Sequence, residues 1–168
     1  YLGVEEDPYV YRVPTDFEAY EGDGEQIISF SDINVQSVQS PSVAGREIYI
    51  SLNNENENGF LFAFDSVTGD EKWRNRLGGG SKSSPVTTDN TVYVATDNNE
   101  VIAFSRSNGD ELWSFSTEGP IRSTPALVGG SLYVGSDDGY VYSLGKVDKA
   151  SQTPTPTETP TEAPTETP

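Results

Sequence analysis

The chain has 168 residues, and ten Lys and Arg against 27 Asp and Glu give a net charge of −17. It holds no His, Cys or Met, which excludes disulfides, thiol nucleophiles, thiolate metal sites, Ser-His-Asp triads and histidine-ligated haem or zinc. So acidic a surface repels nucleic-acid phosphate and anionic membranes, and no apolar run approaches the roughly 20 residues that cross a bilayer.

In chain order the expected elements are short strands. Tyr1 lies in one strand and Tyr9 to Val13 form the next. Pro14 to Asp23 read as an irregular acidic loop, and Gly24 to Phe30 supply another strand. After Pro41 a brief strand leads through Ala44-Gly45 into Ile48-Tyr49-Ile50. The polar run Asn53-Asn54-Glu55-Asn56-Glu57-Asn58-Gly59 turns the chain into Phe60-Leu61-Phe62-Ala63-Phe64. A turn at Gly69 precedes a strand that holds Trp73. The same order then recurs. Val86-Thr87-Thr88, Val92-Tyr93-Val94, Val101-Ile102-Ala103-Phe104 and the Trp113 strand form one set. Ala126-Leu127-Val128, Leu132-Tyr133-Val134 and Tyr140-Val141-Tyr142-Ser143-Leu144 form the last. Asn, Asp and Gly between these runs tolerate positive φ and mark turns. No stretch offers a capped helical period.

Several markers keep one period. Pro41, Pro85 and Pro125 are 44 and 40 residues apart, Trp73 and Trp113 are 40 apart, and so are Gly69 and Gly109. Repeats of about 40 residues with four short strands each are typical of β-propeller blades. The expectation is an all-β fold: a partial β-propeller of about 3.5 antiparallel blades within residues 1–146. The blade parts are 1–30, 41–76, 85–116 and 125–144. The first lacks its first strand and the last its fourth. The expectation follows that further blades of the same chain lie upstream and donate the closing strand.

Ala63-Phe64-Asp65-Ser66-Val67-Thr68-Gly69-Asp70-Glu71-Lys72-Trp73 is the sharpest motif. A carboxylate at Asp65 accepts amides of the following turn, Gly69 permits positive φ, and Trp73 presents a large ring whose N–H needs a partner. The string resembles the tryptophan-docking motif of PQQ-like (pyrroloquinoline-quinone-type) propeller repeats, in which Ala, Asp, Thr, Gly and Trp hold fixed positions. Its second copy, ending at Trp113, keeps Ala103 and Gly109 but has Ser105 and Asn108 in place of Asp and Thr. The resemblance covers nearly all of residues 1–146. It implies that Ala63, Asp65, Thr68, Gly69, Trp73, Ala103, Gly109 and Trp113 are structural, docking one blade on the next.

The resemblance does not bring a cofactor with it. Quinoprotein dehydrogenases of the family use a complete ring, a Ca²⁺ or similar ion, an Asp base and often a vicinal Cys pair, and this chain has no Cys. No catalytic, cofactor-binding or metal-binding residue is expected; PQQ with Ca²⁺ belongs to the alternative of a dehydrogenase fragment. The Asn-rich run 53–59 lacks the spacing of a Ca²⁺ loop and reads as an enlarged hairpin. Asp137-Asp138-Gly139 reads likewise. Gly78-Gly79-Gly80-Ser81-Lys82 leads into a strand and lacks the spacing of a phosphate loop. Arg74, Arg76 and Arg122 read first as pairing with the acidic surface, with carboxylates at blade junctions as the alternative.

Residues 151–168 contain only Thr, Pro, Glu, Ser, Gln and Ala, so residues 147–168 are expected to form a disordered, semi-stiff stalk of the kind that carries O-linked sugars. Only four of the ten basic residues are Lys, and the acidic, Lys-poor composition resembles proteins of salt-loving archaea. Together these imply a secreted or cell-surface propeller without catalysis, tethered by its stalk, whose partner is an unknown protein, peptide or glycan. Exposed Tyr9, Tyr20 and Tyr140 are candidates for stacking on sugars. An envelope-protein assembly factor is the third reading.

Overall fold

The structure, a computed structural model, describes residues 9–12, 25–30 and 32–145. The acidic loop, the tail, Tyr1 and Tyr20 lie outside the described residues. Among the described residues, fourteen strands fall into four antiparallel sheets. The first pairs β1 (Tyr9–Arg12) with β2 (Glu25–Ser29). The second holds β3 (Val35–Val38), β4 (Ser42–Ala44), β5 (Glu47–Asn54), β6 (Gly59–Asp65) and β7 (Glu71–Arg76). The third runs β8 (Val86–Thr87), β9 (Thr91–Ala95), β10 (Glu100–Ser105) and β11 (Glu111–Ser116). The fourth joins β12 (Ala126–Val128), β13 (Ser131–Gly135) and β14 (Val141–Gly145). Within the third and fourth sheets the strands pair in chain order, as consecutive hairpins require.

The second sheet departs from the expected start at Pro41. Val35 to Val38 already pair with Asn54 to Leu52, ahead of β4, which pairs with the other half of β5. The edge strand beside β5 is thus in two pieces, β3 and β4, separated at Pro41, which has no N–H to give the ladder. The long Asn-rich hairpin extends β5 to eight residues, and β3 covers that extension.

Alternation across the pleat sends successive side chains to opposite faces, and in the second and third sheets both faces are buried. On β5, Ile48, Ile50 and Leu52 pack with Phe62 and Phe64 against Ile28 and Phe30 of the first unit. Tyr49 on the same strand points the other way, joining Leu61, Ala63 and Trp73 against Val92, Val94, Ile102 and Phe104 of the third sheet. Ala95 and Val101 on the third sheet's far side meet Ile121, Leu132 and Val134. Three apolar layers therefore separate four sheets in chain order, the stacking of propeller blades.

Loops from the outermost strand of one sheet to the innermost of the next are pinned by polar contacts. Asn53 donates to the Ser81 carbonyl (3.0 Å) and accepts from the Ser81 amide (2.7 Å). Buried Ser51 donates to the Ser83 carbonyl at 2.7 Å. Gly59 is required here: a Cβ on it would lie 2.3 Å from the Gly79 carbonyl oxygen. The Gly-rich run 78–80 serves this close approach.

Candidate functional site

The motif residues meet at the junction of the second and third sheets. The turn after β6 is built on Asp65, whose Oδ1 accepts the amides of Val67 (2.8 Å) and Thr68 (3.1 Å). Those amides, with the Arg46 guanidinium beside it, hold its carboxyl below the usual range. Thr68 donates to the Asp70 carboxylate at 2.7 Å, and Gly69 closes the turn at φ 75°. In the second copy Asn108 replaces Thr68 and donates to Asp110 at 2.5 Å. Ser105 replaces Asp65 and pairs instead with the Ser107 hydroxyl at 2.9 Å. The turn survives both changes because its backbone bonds recur: Gly69 and Gly109 amides each reach the carbonyl four residues back at 2.9 Å.

The chain re-enters the sheet with a bulge between Ala63 and Phe64, repeated between Ala103 and Phe104. That register sets Trp73 opposite Ala63 and Trp113 opposite Ala103. A methyl group across the ladder leaves room for the indole. Tyr49 and Tyr93 flank the two indoles alike, with ring centroids 5.8 and 5.7 Å away.

Trp73 is 9% exposed and its Nε1–H donates to the Arg106 carbonyl of the next sheet at 3.0 Å. Gly109 lies under the ring. At φ +77° it would set a Cβ 2.8 Å from the indole, so both conformation and space demand glycine. Asn75 adds a bond to the Gly109 carbonyl at 2.6 Å. Trp113 differs. It is 39% exposed, and the positions matching Arg106 and Gly109 one repeat on, Lys146 and Lys149, lie outside the described residues. Equal burial of both indoles does not follow from equal motifs, because each ring depends on what the next sheet supplies.

A polar cluster borders Trp73 that the motif does not announce. Arg106 donates Nε–H to the Tyr49 hydroxyl (3.0 Å), Nη1 to the Thr88 and Asp89 carbonyls (3.0 and 2.8 Å), and Nη2 to the Ala44 carbonyl and Glu47 (2.8 Å each). Glu47 also accepts from Lys72 and, at 2.5 Å, from the Tyr49 hydroxyl. Burial alone would push the Glu47 carboxyl up, but these donors outweigh it and hold it at about 2. Burial and the Glu47 carboxylate push the Tyr49 hydroxyl up to about 12. The side chains of Arg106 and Glu47 are 16% and 15% exposed. One guanidinium thus ties β10's turn to three segments of neighbouring chain.

The arginines singled out from the sequence do less. Arg74 meets Asp32 (2.5 Å) and Glu71 (2.8 Å), and Arg76 meets Asn58 (2.6 Å). Arg122 pairs with Asp137 and approaches Asp97 at 3.6 Å, with Lys82 on the other side of Asp97 at 3.5 Å. That ladder crosses from the third sheet to the fourth on the hairpin side. Asn54 Oδ1 accepts the amides of Asn56 and Asn58 at 3.0 Å each, which makes the 53–59 run a self-bonded hairpin. Among the described residues no group of three or more Asp and Glu is placed to hold a metal ion.

A family model described as outer membrane protein assembly factor BamB, of PQQ-like repeat type, matches residues 57–152, more than half of the chain. The chain belongs to the PQQ-like β-propeller repeat family. Among solved structures, this PQQ-like chain is similar to BamB from Moraxella catarrhalis, with a TM-score of 0.51 and 19% identity over 62% of this chain and 32% of that one. It is also similar to a europium-containing methanol dehydrogenase, with a TM-score of 0.54 and 16% identity over 67% of this chain and 24% of that one. At such identities the likeness is one of fold. The chain spans about a third of the first structure and a quarter of the second. No curated protein matches it.

Proposed function

We propose that this PQQ-like propeller segment is a non-catalytic scaffold of a secreted or cell-surface protein, presenting loops to a protein, peptide or glycan. The observation that carries this reading is the use of the motif. Trp73, Gly109 and the Arg106 carbonyl contact one another, so the residues that name the family hold sheets together and leave partner choice to the loops. The Thr/Pro-rich tail supports the surface assignment, as a stalk that spaces the sheets from an envelope. The charge of −17 with few Lys supports an origin in a salt-loving archaeon. Probing glycan and peptide arrays with the full chain, in dilute and in concentrated salt, tests the reading. Reproducible binding without turnover is expected. Retention of PQQ with Ca²⁺ through gel filtration, with dye reduction on adding an alcohol, would overturn it in favour of a quinone dehydrogenase.

The family description favours a second reading, an envelope-protein assembly factor. Co-purification of the full chain with envelope proteins from its own cells separates the two, since a stand-alone surface scaffold leaves them behind.

A further inference from the structure

We draw no further inference here: the strongest candidate, the outward face of the fourth sheet where Val128, Tyr133 and Val141 are exposed, is an unpartnered apolar face, and nothing in the structure shows what covers it.

Discussion

Trp73 and Trp113 occupy the same place in two copies of one motif, yet only Trp73 is buried. Truncating a buried indole costs its transfer free energy and leaves a cavity. Trp73→Ala is expected to cost about 3–5 kcal/mol, and Trp113→Ala about half as much because part of its ring already meets water. Urea unfolding of the full chain checks both, and equal losses would contradict the difference in docking. Gly109 gives a second contrast. Gly109→Ala is expected to cost about 2–3 kcal/mol, from positive φ plus contact with the indole. Gly129→Ala, at φ 57° with nothing within 4 Å, bears the conformational term alone, about 1 kcal/mol. The sequence announced the indoles and glycines through their 40-residue spacing. It did not announce Arg106, which stands at a variable position of the motif and matters only because another sheet brings Glu47 and Tyr49 to it.

Sheets are joined by two kinds of polar link, and they answer to conditions differently. The cluster around Glu47 is mostly desolvated, whereas Arg122 and Asp97 keep 51% and 28% of their side chains exposed. Exposed pairs are worth little and are screened by salt; removing one member of a desolvated pair strands the other. Arg122→Ala should cost less than about 1 kcal/mol, and still less in about 2 M salt. Arg106→Met should cost about 3 kcal/mol at either salt concentration. Thermal unfolding at both salt levels checks the pair.

The Glu47 cluster also carries a pH dependence. Its carboxyl titrates at about 2 when folded against 4.5 ordinarily, so the unfolded chain binds the proton more readily. The stabilisation is present above pH 4.5, declines as pH falls, and is gone below about 2. Glu47→Gln should flatten that acid limb, measured as unfolding free energy against pH. Tyr49 works in the opposite direction, its contribution being lost as pH rises from 10 towards about 12. Strand existence and order were legible, because apolar runs alternate with turn residues. The extra β3 was not, since Val35-Gln36-Ser37-Val38 carries a weak pattern and pairs only where the long hairpin extends β5.

At the scale of the molecule, apolar layers on both faces of the second and third sheets account for their near-continuous hydrophobic strands beneath so acidic a surface. The repeat made that architecture legible without any single strongly hydrophobic segment. It left the partner illegible, because loop residues keep no period. A net charge of −17 works against compaction through self-repulsion that salt screens, so the thermal midpoint of the full chain should rise with NaCl. A midpoint indifferent to salt would remove the electrostatic support for the proposed halophilic origin. The stacking of sheets through the indole is tested most directly by hydrogen exchange at the Trp73 indole N–H, followed by NMR on the full chain. The bond to the Arg106 carbonyl beneath a covered ring makes that proton expected to exchange as slowly as central strand amides, and more slowly than the Trp113 indole. A Trp73 indole exchanging at the rate of free indole in water would contradict the docking of the second sheet on the third.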